Sequence, residues 1–246
     1  MSGLVAAELL KLRTTRLLLW IAVPVLAFLA LSVIAQLGSF GDAELRQLDN
    51  QRGLVQPAGI AIVFAVILGI AMTAGEYAHG TITHAFLAVP RRERVVAAKV
   101  LSGMLAGLLL AVFAGAVTLA IVVPWLSSKG ISLSLGNRDV YMVFVGVLVG
   151  SALGAGLGVG LGGVLRRQSA AVVLTLTWLL IGEHLISVFS SVAPYAPGHA
   201  FASLVAARTS ASEVVLEMWH GGAVAAAYAL ALAVAGGLAV VRRDVG

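Results

Sequence analysis

The sequence predicts an all-α integral membrane protein with six transmembrane helices and both termini in the cytoplasm, and three observations carry that expectation. Sixty per cent of the 246 residues are hydrophobic and only 11% are charged, against roughly 25% charged in an ordinary soluble domain. Apolar runs near the length that crosses a bilayer, about 20 residues, recur at 17–37, 57–74, 100–125, 140–165, 170–190 and 219–241. Lys and Arg gather on alternate connections between these runs. Lys11, Arg13, Arg16, Arg91, Arg92, Arg94, Lys99, Arg166, Arg167, Arg242 and Arg243 fall on one side, and Arg46, Arg52, Lys129, Arg138 and Arg208 on the other. The positive-inside rule turns the richer side inward.

The remaining bulk properties narrow the class. Mean hydropathy is +1.03 and the pI about 10.1. In a chain whose basic residues flank apolar runs, that pI speaks for membrane orientation, and no basic and aromatic surface is left over for nucleic acid. The absence of cysteine removes disulfides and thiolate chemistry. His79 and His84 lie about 140° apart on a helix and no HExxH occurs, so no metal site is expected. No GxxxxGK[ST] loop is present, and no paired carboxylates or nucleophile elbow, so no cofactor or catalytic residue is assigned to this chain.

The elements follow in order. Before the first run, Val5, Leu9 and Leu12 share one helical face and Glu8, Lys11 and Thr15 another, which fits either a short interfacial helix or an ordinary basic flank. The run 17–37 exceeds the 7–15 residues of a signal-peptide core and reads as an uncleaved span, with Pro24 kinking it. Pro57 opens the second span at a position where its missing N–H is harmless. On a helix over 76–89, Ile82, Ala85, Phe86 and Val89 share one face, opposed by Glu76, His79, Gly80 and Thr83. Pro90 stops that helix, and Arg91, Arg92 and Arg94 lead to Lys99 at the third span. Left to itself, such a segment floats at the lipid surface with its Arg residues on phosphates.

Gly146, Gly150, Gly154, Gly158 and Gly162 form a smooth ridge on the fourth span, and Gly103, Gly107, Ala111 and Gly115 a similar one on the third. Small residues at this spacing let helices approach closely in lipid. The ridge suits packing within one subunit, a dimer contact or a sliding surface. Glu183, followed by His184, is the one acidic residue within a span, about two turns from its outer end. It is either interfacial, paired internally, or in contact with substrate or proton. Between the fifth and sixth spans, Pro197 opens a helix with Phe201, Leu204 and Val205 on one face, and Ser210 with Glu213 forms a capping box for another. No connection is long enough to fold alone, so 1–246 is a single transmembrane domain.

The order Glu76, Gly80-Thr81, Pro90, the Arg cluster and Lys99 resembles the E…GT…P…R…K signature in the first cytoplasmic loop of permease subunits of the ABC type-2 exporter family. The stretches ELLKLRTTR (8–16) and APYAPGHAFASL (193–204) are similar to corresponding parts of that family, and the likeness extends over the six-span layout. One departure is the absence of the serine that many members carry after the proline. The resemblance implies a transport subunit without ATP-hydrolysis motif, pairing with a second copy or paralogue in the membrane lipid. It also implies separately encoded ATPase subunits that bind ATP and Mg. The 75–99 loop would be their coupling helix, using Glu76, Gly80, Thr81, Ile82, Phe86, Val89, Pro90, Arg91, Arg92 and Arg94. The N-terminal helix would be a connecting element and 191–218 an external hairpin. Thirteen Arg against three Lys fit a GC-rich bacterial genome and hence a bacterial cell membrane. A proton-coupled secondary transporter using Glu183 and His184, or a non-transport membrane assembly protein, are the competing expectations.

Overall fold

The computed structural model describes residues 1–41, 44–82, 89, 91–205 and 216–242, with 241 and 242 as backbone only. Among them there is no strand. Six helices are long and apolar enough to cross a membrane, Leu17–Leu37, Leu48–Ala78, Arg92–Ser128, Arg138–Leu165, Gln168–Ser187 and Met218–Val240. The chain is therefore a multi-pass membrane protein.

Helix α1 (Ser2–Thr14) is a separate helix, broken from α2 (Leu17–Leu37) where Arg16 takes a left-handed conformation at φ 54°. In α2 only Ile21, Val25, Leu29, Val33 and Leu37 are buried, one residue per turn, and Pro24 sits on the exposed side of the same helix. The second span starts earlier than its apolar run. Helix α3 (Leu48–Val55) leads through a tight turn containing Pro57 into α4 (Ile60–Ala78). Buried Gln51 makes this polar stretch foldable: its amide donates to the Leu45 and Ser132 carbonyls and accepts from the Ser134 N–H. Around it Val33, Leu37, Leu45, Leu54, Val122, Leu126 and Ile131 form a small second core.

Helix α5 (Arg92–Ser128) has 37 residues. At 1.5 Å per residue it is about 55 Å long, so it projects well past a hydrocarbon layer of about 30 Å. Helix α6 (Arg138–Leu165) begins at Asn137, whose side chain accepts from the Asp139 N–H. It is the axis of the bundle, with 67% of its span buried and α4, α5 and α10 (Met218–Arg242) packed around it.

The glycine ridge explains that centrality. A Cβ on Gly158 would land on the Val66 carbonyl, one on Gly154 would crowd the Ile62 carbonyl, and one on Gly162 the Ile70 carbonyl. Gly150 meets the Ile62 side chain, and Gly146 meets the Leu204 carbonyl. Helix α4 thus rests along Gly150, Gly154, Gly158 and Gly162, and the end of α9 on Gly146, within a single chain. On other faces Gly107 of α5 abuts the Ser151 backbone, and Gly236 of α10 abuts Gly160. Backbone this close replaces the exclusion of water, which offers nothing between helices in lipid.

The fifth span contrasts with this, being 11% buried. It comprises α7 (Gln168–Thr177), a π turn (Trp178–Gly182) and α8 (Glu183–Ser187). Helix α9 (Pro197–Leu204) follows, with Phe201, Leu204 and Val205 buried and Pro197 in its first turn. The proposed Ser210–Glu213 capping box lies outside the described residues.

Gly158→Leu is expected to destabilise the bundle by more than the roughly 1–3 kcal/mol of ordinary overpacking, because its neighbour is backbone. Gly136→Ala, with nothing within 4 Å of the added carbon, should leave thermal unfolding in detergent nearly unchanged. A scan of both variants beside the parent checks this.

Candidate functional site

Four charged side chains meet where α1 crosses the ends of α4 and α5. Lys99, only 2% exposed, donates from Nζ to Glu8 Oε2 at 2.9 Å and lies 2.7 Å from Glu76 Oε1. Lys11 donates to Glu8 Oε1 at 2.8 Å and to Glu76 Oε1 at 3.1 Å. Two carboxylates and two ammoniums cancel, which allows Lys99 to stay inside: a buried ion left alone costs several kcal/mol. Burial by itself would raise the Glu8 carboxyl, but the charge of Lys99 and the hydrogen bonds from Lys11 and Lys99 hold it below its ordinary value. Burial would likewise lower Lys11, and its bond to Glu8 and the charge of Glu76 reverse that and raise it.

Geometry places the lattice on the stems of the 79–91 connection. Glu76 is in the last turn of α4, and the helix ends where Gly80 adopts φ +66°. The Thr81 N–H reaches the Glu76 carbonyl at 3.0 Å and the Gly80 N–H the Tyr77 carbonyl at 3.2 Å, a closure that requires a left-handed residue. Gly80 is thus a helix stop, and the single helix expected over 76–89 does not form: Glu76 belongs to the second span. Helical structure resumes at Ile82, but that side chain is 2% exposed and faces the same small void as Val95 and Lys99. It is buried against its own chain and presents no knob to a partner. Residues 83–88 and Pro90, Phe86 included, lie outside the described residues. Val89 is half-buried, Arg91 is extended and exposed, Arg92 opens α5, and Arg94 is exposed.

Further members of this end are Arg166 and Tyr77. The Arg166 guanidinium donates to the Ala239 carbonyl at 2.8 Å and stacks 4.9 Å from the Tyr77 ring, tying the ends of α4, α6 and α10. Residues from the basic connections therefore gather at one end of the bundle.

At the opposite end Glu183 has a different task. It is 7% exposed and accepts from Trp178 Nε1 at 2.7 Å, the Gly198 N–H at 2.7 Å and the His199 N–H at 3.2 Å, with His199 Nδ1 at 2.5 Å. Gly198 and His199 are the second and third residues of α9, so the carboxylate caps that helix from another element and lies at its positive end. A Cβ on Gly198 would strike the carboxylate. Trp178 and Glu183 would lie about 140° apart on an α-helix; the π turn between them brings both to one side. His184 faces outward and is exposed, so the neighbour in space is His199 and the expected Glu183–His184 partnership does not form.

Beside this cap lies a cavity of about 820 Å³ walled by α4, α6, the fifth span and α10 and bounded at one end by the 192–205 segment. Tyr228 of α10 donates to the Tyr195 carbonyl at 3.2 Å across that end.

Sequence reasoning missed Glu8, Lys11 and Lys99 as a unit, although a signal existed. Lys99 stands on the same stripe as Val95, Ala98, Ser102 and Gly103, all buried, and a lysine on an inward stripe requires carboxylates. His199 had no such signal, because its partner is fixed by the fold.

Comparison of the chain with family models, curated proteins and solved structures finds no match.

Lys99→Met leaves Glu8 and Glu76 facing each other, and breaking such a buried pair costs about 3–5 kcal/mol. Loss of α1 docking is expected, read as a widened spin-label distance between α1 and α5 in this cysteine-free background. Because Glu8 is lowered from 4.5, its contribution is complete above that pH and fades as pH falls through the lower folded value. Lys11, raised from 10.5, contributes fully below that pH and less as pH rises beyond it. The same distance should hold between these limits and widen at both extremes. Glu183→Ala orphans the α9 donors, at about 1–3 kcal/mol for an unsatisfied buried group, and should lower the thermal midpoint while α1 stays docked.

Proposed function

We propose that this chain is the membrane-spanning permease subunit of an ATP-driven exporter of the ABC type-2 class, set in a bacterial plasma membrane with its basic end in the cytoplasm. The observation that carries the reading is Lys99. One buried ammonium joins α1, the foot of α4 and the foot of α5, so both stems of the 79–91 connection and the N-terminal helix move as one piece. A transporter driven from outside its own chain needs such stiffness at the point where it is gripped. A loose loop would absorb the displacement.

On this reading 79–91 is the coupling segment, with Phe86 and Val89 as its apolar contacts now that Ile82 is spent inside. Arg91 and Arg94 orient it by charge, and α1 is the connecting element. Two separately encoded ATPases hold ATP and Mg, and the 191–218 segment, to which α9 belongs, serves as the external hairpin. A second copy or paralogue completes the path. Glu183 supports this reading over a proton-coupled one, because its oxygens already accept from Trp178 Nε1 and the Gly198 and His199 N–H groups and so cap α9.

Phe86→Asp is expected to abolish co-purification with an ATPase encoded beside this chain, while the spin-label distance between α1 and α5 stays that of the parent. Buried aromatic anchors commonly carry 2 kcal/mol or more of an interface, about thirtyfold in affinity. Undiminished association would remove the coupling assignment.

A further inference from the structure

The cavity beside α9 carries a second assignment. Among the described residues that line it there is no Asp, Glu, Lys, Arg or His; Ile62, Val66, Leu161, Leu179, Phe201 and Leu232 typify its walls. Glu183 is not part of the lining: its oxygens are bonded to Trp178 and Gly198, which do line it, and to His199. Any charged group entering would lose its hydration with no counter-ion to replace it, a penalty of several kcal/mol. An apolar group loses nothing.

Size and shape restrict the occupant further. About 820 Å³ falls in the range of roughly 300–1,000 Å³ that holds a drug-sized molecule. Along the fifth span the lining runs from Leu174 to Ile186, about 18 Å of helix, so the space is elongated. Tyr195, Pro197, Phe201 and Val205 bound it at one end, and the Tyr228–Tyr195 hydrogen bond crosses there. A membrane helix of a second copy, which must run the full height of the bilayer, is stopped by that end; a small molecule or a single acyl chain is not. Only 11% of the fifth span is buried, so this wall is the least tied to the bundle.

We infer that this cavity is a binding site for uncharged lipophilic molecules, taken as free compounds or as the acyl chain of a lipid, and that it excludes ions. The inference rests on the exporter reading only for its further consequence, that such molecules are the transported class.

The test uses the whole chain in phosphatidylcholine nanodiscs without any ATPase. Binding can therefore be found or lost independently of the coupling assignment. Since the chain has no cysteine, Val63→Cys and Leu179→Cys each place one thiol on facing walls, and Leu31→Cys, on the lipid-facing side of α2 and 71% exposed, is the control for the effect of lipid cover alone. Neutral N-phenyl-1-naphthylamine, at ten times its dissociation constant, should slow maleimide labelling of both cavity thiols about tenfold and leave the control unchanged. Anionic 8-anilinonaphthalene-1-sulfonate should not. Ala202→Phe, which fills the space from α9, and Leu179→Asp, which charges the wall, should each abolish the neutral probe's protection of the Val63→Cys thiol.

Cavity thiols labelled more slowly than the Leu31→Cys thiol in nanodiscs and as fast as it after delipidation identify a bilayer acyl chain as the occupant, and protection only on adding the probe identifies a free compound. Either result upholds the assignment. Equal protection by the sulfonate, no protection in either medium, or disulfide cross-linking of the Val63→Cys thiols of two copies overturns it.

Discussion

An ammonium group buried to 2% in a membrane protein dictates what surrounds it. Lys99 cannot leave Glu8 and Glu76 for water without pulling α5 away from α1. Each partner comes from a different helix, and a second lysine balances the second carboxylate. Helix α1 is therefore held by charge at a place where apolar contact contributes little: only Glu8 and Leu12 of its residues are buried. The attachment is directional and breakable, which an apolar seam is not.

The rest of the bundle is built on the opposite principle. Along α6 the contacts are backbone on backbone, made possible by side chains that are absent. That seam holds α4, α5 and α10 in one block. Helix α2 touches it through a single stripe and the fifth span hardly at all, so rigidity falls off outward from α6. The charged lattice sits at one end of the rigid block and the apolar cavity between the block and the loosest span.

How much of this was legible follows from the range over which each force acts. The spans announce themselves because lipid demands long apolar runs, and 17–37 matches the helix in full. The glycine spacing pointed to a close seam but could not say that α4 lies against it, since spacing is local and partnership is not. The helix of the second span reaches further back than the apolar run because Gln51, which looks solvated in the sequence, finds its partners in Ser132 and Ser134. Gly80 was placed on a helical face, although a glycine followed by Thr after a polar turn is also how a helix stops. For Glu183, the sequence offered His184 next in line, whereas a π turn and the start of α9 decide which groups it meets.

That π turn makes the fifth span a counted object. It holds one residue more than an α-helical path over the same height would need, and the surplus falls between Trp178 and Glu183. Deleting any one of the intervening residues would restore ordinary winding, keep the hydropathy and nearly keep the length. It would also leave four steps between the Trp178 and Glu183 side chains, about 40° on an α-helix, so the carboxylate would still meet α9; rewinding with every residue kept would carry it about 100° away. In this segment winding and count compensate for each other, so a chain one residue shorter could hold α9 by its end only as plain α-helix, and a chain of this count only with the wider turn.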